Sequence, residues 1–168
     1  DQPVVSDVSI GEVTGRMVTL SNEADFGISD YQTTLSTIVI TDSGTIQDLN
    51  VQINLNHTWD GDLAISLRAP DGTVIMLSNR HGGSANNYTN TVFDDESGIS
   101  VAAASAPFSG IFRPDGLLSA LDGMDMQGTW TLQVADMAGA DSGTLLSWSM
   151  IIDPTTGNII LFYPVPAK

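Results

Sequence analysis

The sequence predicts an all-β fold, a β-sandwich of seven or eight short strands. Apolar residues alternate with polar ones in several separated stretches, which is the period of a half-buried strand. Turn-forming residues punctuate those stretches roughly every ten positions, and 16 glycines serve them. No window carries a long run at helical period. At 168 residues and 42% hydrophobic composition the chain is one domain, large enough to bury a core.

Residues 1–27 read as a linker or as extra N-terminal strands. Val8-Ser9-Ile10 and Met17 to Leu20 have strand composition, and Asn22 to Gly27 reads as a loop. From Ile28 the pattern sharpens. Ser36, Ile38 and Ile40 share one strand face, Asp42-Ser43-Gly44 is a turn, and Ile46 follows. Val51, Ile53 and Leu55 then alternate with Gln52, Asn54 and Asn56. Leu63, Ile65 and Leu67 repeat the pattern until Pro70-Asp71-Gly72 breaks it. Proline cannot donate to a ladder and Asp-Gly supplies a tight reversal, so Thr73 to Leu77 returns as a hairpin.

Residues 79–116 read as a long polar loop, interrupted by a short strand at Thr91-Val92-Phe93 and by Phe108 and Phe112, which pack on the core. Leu117 to Leu121 is a single helical turn. Gly128 to Asp136 is a strand with Trp130, Leu132 and Val134 inward. Leu146, Trp148, Met150 and Ile152 share a face of the next strand, so the two read as a second hairpin. Asp153-Pro154 ends it, and Asn158 to Tyr163 supplies one more edge strand.

Charge sets the second bound. Twenty acidic residues against 5 basic ones give a net charge of −15, which repels phosphate backbones and anionic lipid. Nucleic acid and membrane surfaces are therefore poor partners. The acids are 17 Asp and 3 Glu, a bias that turns and calcium loops share, because Asp sets its carboxylate close to the backbone. There is no cysteine, so no disulfide, thiol nucleophile or thiolate metal site exists.

Calcium takes six to eight hard oxygens, and five acids offer them. Asp60 and Asp62 stand two apart, which on an extended backbone points both to one face; Asp94, Asp95 and Glu96 lie in the long loop. Asp62, Asp94 and Asp95 lead this set. The competing reading has Asp62 capping a turn and Asp94 to Glu96 as a solvated charge run. Catalysis has little to stand on. His57 and His81 are the two histidines, and neither a Gly-x-Ser-x-Gly elbow nor a His-Glu-x-x-His pair occurs. His57 reads as a hydrogen-bonded structural residue and His81 as a loop residue. Trp130 and Trp148 read as core, leaving Trp59 as the open case for a sugar platform.

Several segments together resemble one family. They are His57-Thr58-Trp59, Gly61-Asp62-Leu63, Ala69-Pro70-Asp71-Gly72-Thr73, Gly128-Thr129-Trp130-Thr131-Leu132, Asp136, Gly143-Thr144-Leu145 and Trp148-Ser149. In this order and spacing they are similar to the P domain (Homo B domain) of kexin- and furin-type proprotein convertases. Thr91 to Glu96 and Ala106 to Pro114 resemble the central insertion of the bacterial secreted-peptidase form. Ile28-Ser29-Asp30 and Ala69-Pro70 depart mildly from the usual Ile-Pro-Asp and Ser-Pro.

The resemblance implies an eight-stranded jelly-roll sandwich over residues 28–152, with 153–168 as a C-terminal extension. It implies a non-catalytic, Ca2+-binding module that stabilises a catalytic peptidase domain, serine or metallo-type, in the same parent chain. A secreted, extracellular bacterial setting follows, with a protein substrate as a further partner. The alternative is a carbohydrate- or protein-binding adhesion module of a bacterial cell-surface protein, which an exposed aromatic strip would mark.

Overall fold

The computed structural model describes residues 9–14 and 17–161, and among them eleven strands build a sandwich of two sheets. In order they are β1 (Ser9–Thr14), β2 (Val18–Asn22), β3 (Phe26–Ile28), β4 (Thr33–Ile40), β5 (Thr45–His57) and β6 (Leu63–Arg68). Then come β7 (Val74–Asn79), β8 (Tyr88–Phe93), β9 (Phe108–Phe112), β10 (Gly128–Asp136) and β11 (Gly143–Leu161). One sheet has seven strands in the order β1-β11-β5-β8-β9, with β2 and β3 also on β11; the other runs β4-β10-β6-β7. Eight strands thus lie from Thr33 onward, and the three before them all pair with β11.

Period-2 patterning decides which side chains meet between the sheets. Val51, Ile53 and Leu55 of β5 face Trp130, Leu132 and Val134 of β10, all fully buried. Trp148, Met150 and Ile152 of β11 join them, each side chain contributing roughly 1.5–3 kcal/mol by leaving water. Trp148 Nε1 donates to Ser36 Oγ at 2.8 Å, so a seven-sheet strand is tied to a four-sheet one. Buried indole N–H groups need such a partner; Trp130 Nε1 finds its own in the Met126 carbonyl at 2.8 Å.

The β6–β7 hairpin forms as expected, but the second hairpin does not. β10 and β11 sit in different sheets, and the chain between them arches over one end of the sandwich. β11 pairs with β5 instead. Gly143 permits this approach, because a Cβ there would collide with the Asn56 carbonyl and the His57 ring.

Nor does Asp153-Pro154 stop β11. The ladder shifts register between the two residues, so the bulge absorbs the missing donor, and the strand continues to Leu161 against β1. It is β1 that forms the edge there; Phe162 and Tyr163 lie outside the described residues, as does Val8. A second shift between Leu145 and Ser147 turns Leu145 inward and leaves Leu146 36% exposed, which corrects the expected face. Asn22 to Gly27 is only in part a loop, since β2 ends and β3 begins within it.

The segment 79–116 carries more order than its composition suggests. β8 and β9 pair in parallel on the edge of the seven-stranded sheet. Tyr88 stacks on Phe108 at 4.6 Å and Phe108 meets Phe112 edge-on at 5.9 Å, so both Phe rings are buried as expected. The helical turn at Leu118–Leu121 is a 3-10 helix whose Leu118 and Leu121 are buried.

Candidate functional site

The five expected acids do not converge. Asp94, opposite Asn50 by register, and Asp60, just past His57, lie toward opposite ends of β5. The intervening strand spans roughly 23 Å. Two polar regions result, and they differ in kind.

At the His57 end the backbone is not extended. Asp60–Asp62 forms a 3-10 turn, so the two carboxylates do not share a strand face. The turn is held by the 80–87 segment, with Asp60 N–H on the Ala85 carbonyl and Gly61 N–H on the Gly83 carbonyl, each at 2.9 Å. Gly82, at φ +98°, is required here because a Cβ would stand 2.9 Å from both Asp60 Cβ and Phe108. Asn87, at φ 79°, is the hub: its N–H donates to Asp60 Oδ1 at 2.9 Å and its side-chain oxygen accepts from His57 N–H at 3.1 Å. Asp60 is fully buried and its Oδ2 has no partner. Burial raises its carboxyl to about 6, against the opposing pull of the Asn87 N–H and the His57 ring. Asp62 is buried too, with Arg80 Nη2 3.9 Å away.

The inner rows of both sheets end here. His57 continues the inward parity of Val51, Ile53 and Leu55; Asp136 continues that of Trp130, Leu132 and Val134. Their side chains meet across the end of the core, Nε2 to Oδ2 at 3.2 Å, both fully buried. Nδ1 of His57 is occupied by the Trp59 main chain, at 2.9 Å from its oxygen and 3.2 Å from its nitrogen. Asp136 Oδ1 accepts the Ala138 N–H at 3.2 Å. The histidine therefore acts as a clasp between sheets, with no ring nitrogen left for a nucleophile. His81 is likewise engaged, with Asp115 at 2.9 Å.

The other end is crowded with acids. Asp95 spends both oxygens on the Leu118 and Ser119 N–H groups, at 3.0 and 2.8 Å, anchoring the 3-10 helix. It is therefore not part of a solvated charge run. Asp94 Oδ1 accepts the Glu96 N–H at 2.8 Å, and contact with the Asp94 carboxyl raises Glu96. Sequence reasoning missed Asp48 and Asp122. Both are raised first by burial and then by neighbouring acids: Asp94, Asp153 and Asp95 act on Asp48, and Asp48 and Asp95 act on Asp122. The outward parity of Asp48 on β5 was readable, but its pairing with the 94–96 loop was not.

Among the described residues, no three acidic or histidine side chains converge as a ready-made metal site. The features that suit a cation are the unpartnered buried Oδ2 of Asp60 and the Asp94–Glu96 carboxyl contact. Calcium accepts carbonyl and water oxygens for the rest of its shell. Of the three tryptophans only Trp59, at 44%, is exposed.

Residues 46–152 match the proprotein convertase P-domain family. The chain belongs to that family. A calcium-dependent protease of Nostoc sp. is 36% identical over 73% of this chain, and the leupeptin-inactivating enzyme 1 of Streptomyces exfoliatus is 33% identical over 77%. A transglutaminase-activating metalloprotease of Streptomyces mobaraensis is 32% identical over 68%. This P domain spans only 16%, 25% and 12% of those proteins. The serine protease of Aeromonas sobria, solved with the chaperone, shares the fold at a TM-score of 0.56 and 22% identity. The match covers 86% of this chain and 28% of that one. Among the described residues, no helix is long and apolar enough to cross a membrane.

Proposed function

We propose that this P domain has no reaction of its own and stabilises a catalytic peptidase domain in the same parent chain, in an extracellular bacterial setting. The observation that carries the reading is that the relatives named as proteases each contain a module of this kind as a small fraction of their length. In keeping with it, the one buried His–Asp pair here is consumed in joining two sheets. A protein substrate is a further partner of the whole assembly.

We infer that calcium stabilises the module, with Asp62, Asp94, Asp95, Asp60 and Glu96 acting as two separate groups. The name of the Nostoc relative supports the ion, and so do the orphan oxygen of Asp60 and the close Asp94–Glu96 carboxyls. Asp95 contributes least directly, because both its oxygens already hold the helix at 118–121. A divalent ion at either group would offset the repulsion among the acids of that group. The backbone N–H of Asn87 would hold the Asp60 carboxylate in place in one group, and that of Glu96 the Asp94 carboxylate in the other.

Binding only to the folded form stabilises by about 2.7 kcal/mol when free ion is a hundred times its dissociation constant. Melting the 168-residue chain in calcium and in chelator tests this. A lower midpoint in chelator is expected, and Asp94→Asn with Glu96→Gln should shrink the difference. Equal midpoints would remove calcium from the account. Peptidase activity appearing in the isolated chain would remove the accessory role.

A further inference from the structure

The two outer faces of the sandwich differ in charge. On the seven-stranded sheet, β5 turns Asp48, Asn50, Gln52 and Asn54 outward, and β11 adds Ser149 and Asp153. On the four-stranded sheet, β4 presents Leu35, Thr37 and Val39, and β7 presents Val74 and Met76. Thr, Gln and Ala side chains of β10 fill the space between, and Arg68 is the only charge at an outward strand position. Leu35 is 54% exposed and Val39 63%. In a chain with 20 acids and a net charge of −15, this is a face that can leave water without desolvating a carboxylate.

The face ends in a shallow pocket of about 160 Å³ lined by Tyr31, Gln32, Thr33, Ala135, Asp136 and Met137. Tyr31, at φ 56° and 72% exposed, and Met137, at 53%, form its apolar rim. Tyr31 lies over Gly139, where any side chain would crowd its ring. Asp136 is already tied to His57, so the pocket offers a partner no free carboxylate.

A second copy is a poor occupant, because docking would bring two strongly anionic bodies together. The dimensions suit a neighbouring domain. Strand length and spacing give roughly 26 by 15 Å, or roughly 400 Å² per side, within the range of inter-domain interfaces inside one chain. We propose that the outer face of the four-stranded sheet, with the Tyr31–Met137 pocket at its edge, is the surface on which the peptidase body of the parent chain docks. The inference rests on the accessory reading above and adds where the contact lies. The partner surface is apolar, carries one projecting side chain for the pocket, and has as its one charge an acid opposite Arg68.

Hydroxyl-radical footprinting of the 168-residue chain alone and of the full-length parent protein tests it. Tyr31, Leu35, Met76 and Met137 should be oxidised several-fold more slowly in the parent. Protection confined to other surfaces, such as the Asn50–Gln52–Asn54 face, would overturn the docking face but leave the accessory role standing. No protection anywhere would overturn both. A variant pair separates docking from folding: Leu35→Lys with Val39→Lys should leave the melting of the isolated chain unchanged and lower that of this module in the parent. An unchanged parent would overturn the proposal.

Discussion

The two ends of β5 hold the same residue type under opposite physics. At the His57 end, Asp136 and Asp60 are sealed from water, and each is judged by what it touches: one has a histidine, the other a half-satisfied carboxyl. At the Asp48 end the acids keep partial access to water; burial comes first in raising Asp48 and Asp122, neighbouring acids add to it, and the Asp94 carboxyl leads in raising Glu96. Counting aspartates cannot tell a clasp from a repulsive cluster; burial and partner can. The first region rests on specific partners, whereas the second is a crowd of like charges.

The largest effect that would sharpen this contrast is at the clasp. Asp136→Ala leaves His57 buried without its partner and should cost about 3–5 kcal/mol in urea unfolding. A loss near that of an exposed aspartate would show that the pair does not hold the sheets.

Next comes pH. Asp60 stands at about 6 in the folded chain against 3.8 unfolded, so between those values only the native state keeps the proton. Stability should therefore fall as pH rises through that window, by about 3 kcal/mol in all. Urea midpoints from acid to neutral pH, in chelator, should show a slope that Asp60→Asn flattens. An unchanged slope would place Asp60 with the hydrated acids of the other end.

The smallest effect belongs to that other end. Asp95→Ala removes the cap from Leu118 and Ser119 and should cost about 1 kcal/mol, with amide exchange accelerated at those two positions.

Strands whose apolar parity was unbroken were legible, such as β6 with Leu63, Ile65 and Leu67. β11 was legible only in part. Its bulges at Leu145–Ser147 and Asp153–Pro154 reverse parity or drop a donor, and local patterning reads both as an ending or a face. Asp60 and Asp62 were assigned an extended backbone because Leu63 follows in strand parity, but the 3-10 turn depends on the 80–87 segment closing over it. His57 and Asp136 each extend an inward row, a sign present in the sequence. That the two rows end at the same place is a property of sheet pairing. The Asp48 cluster was hidden for the same reason.

β1 has one more consequence. Ser9 pairs with Leu161 in an antiparallel ladder, so these two positions stand about 5 Å apart. Tension applied across this pair would peel the ladder one rung at a time, beginning there. The tryptophan-filled interior would lie outside the line of force.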